Sequence, residues 1–337
     1  MVPSKCLKVR QLDVKGAYLN GKLIQPIFME QPIGFDDESG LVCLLIKSIY
    51  GLKQAGHVWN IEFDYVMRRH GFQPLILDPC TYILWDGDQF IIVTIWVNDL
   101  LLFAMADKLI ERTKVNLEAK WELTDLGKPV KIVGIEIALS NHSVTISQCR
   151  YLESVLQKEG IEHANPVGMP LDPNIMLEPN SDGSQGDRSN SYARLIGELQ
   201  FITNATRPDI VHAISKLSSY MANLMLQHVS ALKRVLRYLS GTKTHRITYN
   251  DVLDHPNQFF GFTDATFANA DEHKSTTGYV FKMAGGTVTW YSKKQSITAL
   301  LLMKAEYIAL LEAAQEAHWL RTLFKELGFA QTLPTMI

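Results

Sequence analysis

Oxygen-bearing side chains at two predicted strand ends are the residues of this sequence best suited to metal-dependent chemistry. Asp13 precedes a turn at Asn20-Gly21 and can therefore close a strand. Asn98-Asp99 interrupts two apolar, β-branched runs, a pattern that predicts a strand, a tight turn and a second strand, with both polar side chains at the tip. Carboxylates from separate strands could hold two Mg²⁺ ions for phosphoryl transfer.

The elements that must position these residues are predicted from hydrophobic period and turn signals. Strands of 4–8 residues and amphipathic helices alternate through the first 150 residues. The predicted strands are 42–46, 81–85, the run from Phe90 to the Asn-Asp pair, 131–138 and 144–148, and the predicted helices are 58–70, which Gly71 stops, and 110–121.

Residues 165–190 are rich in Pro, Ser, Asp and Gly and are predicted to be a linker. The region 191–250 is predicted to be helical. Pro208 begins a helix that runs from 209 to about 221, and Gly241 is expected to cap a second helix over 228–239. Beyond residue 256 the pattern predicts a strand ending at Asp264, a hairpin of 279–281 with 288–290 across Gly285-Gly286, and a helix over 302–327 that Gly328 stops.

Composition restricts the class of protein. Hydrophobic residues make up 47% and charged residues 20% of the 337 residues, as in globular proteins, and the net charge of −2 provides no general basic field for nucleic acid. Basic residues do gather locally, and Lys233, Arg234, Arg237 and Lys243 are candidate phosphate contacts, although a solvated helix face is the alternative. The four cysteines form no CxxC pair, and the longest apolar run is too short to span a bilayer. We therefore expect a soluble, intracellular protein that is cytoplasmic, in a virus-like particle, or nuclear.

Ordered motifs give the sequence a specific resemblance. Residues 12–18, Leu-Asp-Val-Lys-Gly-Ala-Tyr, resemble motif A of reverse transcriptases, and residues 96–99, Trp-Val-Asn-Asp, resemble the aromatic-x-Asp-Asp motif C. Residues 48–55 are similar to the Ser-Leu-Tyr-Gly-Leu-Lys-Gln-Ala signature of Ty1/copia-type retrotransposon polymerases. Further motifs follow in the order of that family at 29–35, 78–80, 125–127, 133–137, 207–209 and 237–242. The chain thus resembles a copia-type reverse transcriptase with a C-terminal ribonuclease H, as a polyprotein fragment.

The resemblance implies roles for individual residues. Asp13 would bind both metals, Asp99 would be the second carboxylate of motif C, and Tyr18 would exclude a 2′-hydroxyl, while Tyr50, Lys53 and Gln54 would lie near the template and the incoming nucleotide. Asn98 stands where the family has an aspartate that binds metal. An amide is neutral and offers one weaker oxygen, so we expect little or no polymerisation.

The C-terminal region resembles ribonuclease H. Residues 261–265, 274–279 and 290–295 match the copia-type version, and Ala305-Glu306-Tyr307 resembles its Glu motif. Asp264 and Glu306 would then be metal ligands. The chain stops where the strand carrying the third ligand would begin, and Leu300 to Met303 replace a small, hydroxyl-rich segment. We therefore expect nuclease activity to be weak or absent.

Together these observations predict an α+β fold. It would comprise a polymerase palm over 1–164 without its fingers segment, the linker over 165–190, a helical thumb or connection over 191–250, and a truncated ribonuclease-H-like α/β domain over 256–337. The family implies Mg²⁺ or Mn²⁺ as cofactor, and RNA template, DNA primer, RNA–DNA hybrid, dNTPs and other retrotransposon polyprotein products as partners, without a membrane. Two alternatives stay open: a non-catalytic remnant that binds nucleic acid, and the product of a decayed reading frame that does not fold stably.

Overall fold

The computed structural model describes residues 7–175, 177–180, 190–250, 257–267 and 274–337, and it shows a mixed α/β protein. The strands are β1 (Lys8–Val14), β2 (Lys22–Met29), β3 (Cys43–Lys47), β4 (Gln73–Pro74), β5 (Thr81–Asp86), β6 (Gln89–Trp96), β7 (Asp99–Ala104), β8 (Leu123–Gly127), β9 (Lys131–Ile132), β10 (Ile135–Leu139), β11 (Ser143–Ser147), β12 (Ile247–Asn250), β13 (Phe259–Thr266), β14 (Thr276–Met283) and β15 (Gly286–Lys294). The helices are α1 (Ala55–Arg69), α2 (Asp107–Glu118), α3 (Cys149–Lys158), α4 (Asn190–Ala205), α5 (Val211–Ser218), α6 (Leu226–Gly241) and α7 (Leu302–Glu326). Short 3₁₀ turns occupy Ala17–Asn20 and Pro208–Ile210.

The first sheet is antiparallel, with strand order β4-β5-β6-β7-β1-β8. Helix α1, which overlaps the predicted helical range 58–70, buries an apolar stripe of Trp59, Phe63, Val66 and Met67 against one face of this sheet. The same core contains Leu12 of β1, which is fully buried. The two polar strand ends are therefore supported by a continuous apolar layer, and burial of such side chains is the main source of stability in a sheet–helix core.

The hairpin predicted around Asn98-Asp99 is present but shifted by one residue, because Val97 and Asn98 form its turn and Asp99 is the first residue of β7. Strands β5 and β6 pair across Gly87, which has a φ of 61°, and β6 and β7 pair around the Asn98 turn. The prediction of one strand over 131–138 is wrong, because Val133 and Gly134 have φ values of 46° and 78° and separate β9 from β10. Such values take the backbone out of the extended region.

The second core joins α3 with α4, α5 and α6. Strands β9 to β11 form a sheet with β12 in the order β12-β11-β10-β9, so residues 131–158 pack with the helical region. The predicted linker has no helix or strand over 165–175 and 177–180, and residues 181–189 lie outside the described part. The predicted helix from 209 is shorter than expected, since a 3₁₀ turn precedes α5. Gly241 is not the cap of α6, because it is the last helical residue and Thr242 follows as the cap.

Strands β13, β14 and β15 form a third, antiparallel sheet, and α7 covers one face of it. Helix α7 ends next to Gly328, whose φ of 82° confirms the predicted stop. Its C-terminal end packs on the other face of the first sheet, where Leu327 is buried with Ile83 and Ile92. The Glu326 carboxylate accepts hydrogen bonds from the backbone N–H groups of Ile76 and Leu77, at 2.9 and 3.2 Å.

Candidate active site and basic surface

Two neighbouring strands of the first sheet bring the predicted carboxylates together. Asp13 on β1 and Asp99 on β7 are direct partners in the antiparallel register, and the Val14 N–H donates to the Asn98 carbonyl at 2.8 Å. Cβ atoms of directly opposed residues lie about 4.5–5.5 Å apart in such a pair. The structure therefore places Asp13, Asn98 and Asp99 at one edge of the β1–β7 ladder, although 85 residues separate Asp13 from Asn98.

Trp59 of α1 holds the turn that carries Asn98. Val97 has a φ of 58°, which is unusual and strained for a β-branched residue. The indole Nε1–H of Trp59 donates to the Val97 carbonyl at 2.7 Å, and Trp59 is only 3% exposed. Trp59 packs against Phe63 and Trp121, so the turn is fixed to the core by a rigid side chain.

Each carboxylate of this site accepts a hydrogen bond from an amide. Asn98 Nδ2 donates to Asp13 Oδ1, and Gln11 Nε2 donates to Asp99 Oδ1 at 3.2 Å. Gln11 is 5% exposed, so its amide is fixed within the sheet. Hydrogen bonds from amide N–H groups stabilise charged acceptors more than neutral ones. The nearby Lys15 forms an ion pair with Glu122.

The donor set does not fit a two-cation centre. In the described ranges no group of three or more His, Cys, Asp or Glu side chains is arranged to hold a metal ion. Asp13 and Asp99 supply two carboxylates, and Asn98 presents its N–H to Asp13 instead of an anionic oxygen. Divalent Mg²⁺ requires several hard oxygen ligands, so the third carboxylate is the missing component.

Two tyrosines predicted to contact nucleotide or template lie next to each other beside this edge. The rings of Tyr18 and Tyr50 are 5.0 Å apart between centroids and inclined at 47°. Tyr18 is half-buried, whereas Tyr50 is 55% exposed. Lys53 is exposed, and Gln54 is the N-cap residue that directly precedes α1.

The structure separates the two carboxylates predicted for the C-terminal region. Ala265 of β13 is buried with Ala305 and Ala309 of α7, so this side chain faces the helix. Successive side chains of a strand point to opposite faces. The exposed Asp264 therefore lies on the face away from α7, whereas Glu306 belongs to α7.

The neighbours of Asp264 confirm this assignment of faces. Asp264 is registered with Gly278, and Gly278 with Ser292, whose Oγ lies 3.3 Å from Nδ1 of His212 on α5. Burial lowers the pKa of His212, assisted by the charge of Lys216. The structure thus places Asp264 on the α5 side of the sheet.

Two of the four predicted basic contacts hold the segment after α3. Arg234 forms an ion pair with Asp172 at 3.5 Å, and Arg237 Nε donates to the Asn165 carbonyl at 2.8 Å. Lys233 is exposed and Lys243 is half-buried. The basic run is therefore not one continuous solvated face, because part of it packs against residues 165–172.

Three residues with structural contacts at or near the candidate sites were not assigned a role from the sequence. Gln11 lies two residues before Asp13 and hence on the same strand face, a spacing that could have identified it. Trp59 lies within the predicted helix 58–70, and nothing in its local sequence indicates a hydrogen bond to residue 97. Arg207 is the third. It was noted within a motif, and the structure shows that it is buried and bonded to Asp209 and Thr242.

The fold and the ladder edge define a mixed α/β protein with a motif pair typical of polymerases. Residues 4–173 match the family model described as reverse transcriptase (RNA-dependent DNA polymerase). Within that class, the chain belongs to the reverse transcriptases of Ty1/copia-type retrotransposons. Reverse transcriptases are generally metal-dependent.

Several curated relatives support the assignment. The retrovirus-related Pol polyprotein from transposon TNT 1-94 of Nicotiana tabacum is 36% identical over 96% of this chain and 25% of its own length. The Pol polyprotein from transposon RE1 of Arabidopsis thaliana is 32% identical over 98% of this chain and 22% of its own length. The putative transposon Ty5-1 protein of Saccharomyces cerevisiae is 31% identical over 90% of this chain and all of its own length. The chain therefore spans about a quarter of the two Pol polyproteins. Among the described residues, every helix is too short or too polar to cross a membrane.

Proposed function

We propose that this chain is the polymerase part of a copia-type Pol polyprotein and that it extends primers poorly. In this proposal residues 1–164 are the palm, 165–190 a linker, 191–250 a helical connection and 256–337 a ribonuclease-H-like region. The observation that carries the polymerase assignment is the pairing of Asp13 with Asp99 on adjacent strands, beside the Tyr18–Tyr50 pair. The substrates would be an RNA template, a DNA primer and dNTPs.

The proposal assigns the weak activity to Asn98. Catalysis of phosphoryl transfer depends mainly on electrostatic stabilisation of developing charge. The amide of Asn98 removes one negative charge from the site and donates to Asp13, one of the two remaining carboxylates. The side chains of Asp13, Asn98 and Asp99 lie together where β1 pairs with β7. Their two carboxylates supply too little negative charge to hold a pair of divalent cations.

Primer extension on an RNA template tests the proposal directly. The purified chain and Asn98→Asp are compared with Mg²⁺ and with Mn²⁺, and we expect incorporation only, or far more, with the variant. Asn141→Asp is the matched control, because Asn141 lies in an exposed turn and the substitution adds the same charge. Robust dNTP incorporation by the unmodified chain would refute the assigned impairment. If neither the wild type nor Asn98→Asp incorporates dNTPs with either cation, the assignment of a polymerase site at this edge is contradicted.

We also propose that the ribonuclease-H-like region hydrolyses hybrids little or not at all. Support comes from the separation of Asp264 and Glu306 by β13, since Asp264 lies on the face away from α7. Two carboxylates on different sides of a sheet do not fit one metal centre. Turnover of an RNA–DNA hybrid with Mg²⁺ or Mn²⁺ that is lost in Asp264→Asn would overturn this proposal.

A non-catalytic remnant that binds nucleic acid is the second candidate. The observation that favours it is the set of cationic side chains in the connection region, of which Lys233 is exposed and lacks an ion-pair partner in the described chain. Binding of an RNA–DNA hybrid that weakens steeply with salt, without turnover by the wild type or Asn98→Asp, would support this candidate.

A further inference from the structure

A cavity of about 450 Å³ lies at the junction of the helical region and the third sheet. One wall comes from residues 206–209 and 244–248, and the other from Lys282 and residues 285–287. This volume lies within the range of ligand pockets, about 300–1,000 Å³. The motif at 207–209, which has no role in the polymerase edge, lines this cavity, and Arg207 connects it to the motif at 237–242.

The motifs meet through a buried arginine. Arg207 is 2% exposed and donates to both carboxylate oxygens of Asp209, at 2.8 and 2.7 Å. It also donates to the carbonyl and hydroxyl oxygens of Thr242, at 3.0 and 2.6 Å. A guanidinium has five N–H donors, so these four bonds leave one donor of this cavity-lining residue without an acceptor in the described chain.

The opposite wall is fixed by a second set of contacts. The Asn250 N–H donates to the Ala284 carbonyl at 2.7 Å, and the Tyr249 hydroxyl donates to the Thr287 carbonyl at 2.7 Å. Gly286 has to be glycine, because a Cβ there would lie 2.6 Å from the Tyr249 ring. The cavity is therefore built from ordered backbone on both sides.

The charges that line the cavity are mostly positive. Arg246 is exposed, Lys282 is half-exposed, and neither has an ion-pair partner among the described residues. Asp209 is the lining carboxylate. Burial opposes its ionisation, but the hydrogen bonds and charge of Arg207 hold the pKa of Asp209 below its usual range, and Tyr238 also donates to it at 2.9 Å. Asp209 is thus neutralised by Arg207, which leaves the charges of Arg246 and Lys282, with His245 beside them.

We propose that this cavity binds a phosphate group, held by Arg246 and Lys282 and by the free N–H of Arg207. Arginine and lysine are the side chains best suited to phosphate oxygens, and Arg207 is already oriented by its other bonds. The proposal rests on the proposed function in one respect, namely that the phosphate would come from a nucleic-acid strand. A free phosphate ion would make the same contacts and is the alternative ligand.

The strand source is tested by fluorescence anisotropy with labelled single-stranded DNA and a labelled RNA–DNA hybrid over a series of salt concentrations. The double variant Arg246→Gln, Lys282→Gln is compared with the wild type. The control is Lys108→Gln, Lys325→Gln, which removes the same charge from exposed residues outside the cavity. The salt dependence of binding counts the phosphates that the protein neutralises, and the cavity is proposed to hold one. We therefore expect the magnitude of the slope of log K against log salt to fall by about 1 for the test variant and not at all for the control.

The free-phosphate source is tested by thermal melting with inorganic phosphate against chloride at equal ionic strength. A rise in Tm for the wild type that disappears in the test variant supports the cavity with free phosphate as its ligand, even where strands do not bind. The phosphate-binding proposal is refuted if wild type and test variant bind strands with the same affinity and salt slope and if phosphate shifts the Tm of both equally. That result leaves the proposed function intact. Absence of both strand binding and phosphate stabilisation also overturns it, and primer extension by Asn98→Asp then decides the proposed function separately.

Discussion

Restoring the third carboxylate should make the stability of this protein depend on a divalent cation. In Asn98→Asp, the donor to Asp13 becomes a second negative charge at the same place, with Asp99 directly opposite Asp13 in the ladder. The hydrogen bond to a charged acceptor that is lost contributes about 1.5–3 kcal/mol. The added repulsion between charges about 4 Å apart lies between roughly 1 kcal/mol in water and 4 kcal/mol near a protein surface.

The two contributions together predict that metal-free Asn98→Asp loses about 2.5–7 kcal/mol of unfolding free energy. Mn²⁺ or Mg²⁺ at about 100 times its dissociation constant would return about 2.7 kcal/mol to the variant. The wild type should respond little, because its amides already satisfy both carboxylates. The expected result is therefore a cation-dependent Tm in the variant and a cation-independent Tm in the wild type.

Thermal melting in excess EDTA, and then in Mn²⁺ or Mg²⁺, measures this difference. Asn141→Asp controls for the change in net charge and should melt like the wild type in both solutions. If the variant is as stable as the wild type in EDTA, the expected repulsion at position 98 is absent. If Mn²⁺ stabilises the wild type as much as the variant, the two amides do not replace a cation at these carboxylates.

Three further predictions concern individual contacts. Trp59→Phe keeps the aromatic packing but leaves the Val97 carbonyl without its donor, so urea unfolding should show a loss of about 1–3 kcal/mol, whereas an unchanged midpoint would contradict the assigned role. The depressed pKa of Asp209 means that its contribution to stability is present above the unfolded pKa and is lost as pH falls through the folded pKa. Asp209→Asn should therefore be less stable than wild type at neutral pH and should flatten the acid limb of the stability curve, and parallel curves would refute this. Gly134→Ala places a Cβ 2.9 Å from the Phe201 ring at a φ of 78°, so Tm should fall, while the same change at the helical Gly197, which has open space, should leave Tm unchanged or raise it.

Elements defined by local signals were predictable. The hairpin of β6 and β7, the amphipathic helix α1 and the Gly328 stop of α7 depend on residues within a few positions of one another. The break between β9 and β10 was not predictable, because Val133 is a strong strand former that the surrounding structure holds at positive φ. Tertiary context outweighs propensity at that position.

Contacts between distant segments could be predicted only in part. The motifs indicated that Asp13 and Asp99 share a site, since polymerase chemistry requires carboxylates from separate strands. They did not indicate the Asn98–Asp13 hydrogen bond or the Gln11 amide, which depend on the register of β1 with β7. The face on which Asp264 lies likewise follows from the packing of α7 against Ala265, and a strand pattern alone leaves the two faces equivalent.

The amide contacts also bear on the hypothesis of a decayed reading frame. Two facing carboxylates on adjacent strands repel each other unless a cation or a donor offsets their charge. Here Asn98 and Gln11 each donate to one of them, so the edge is satisfied by the chain itself. Under the proposed function, an amide at position 98 removes a charge that catalysis needs and at the same time stabilises the metal-free fold, which is the direction expected when activity and stability oppose each other at a site. Asn98 therefore argues against catalysis without arguing against a folded protein.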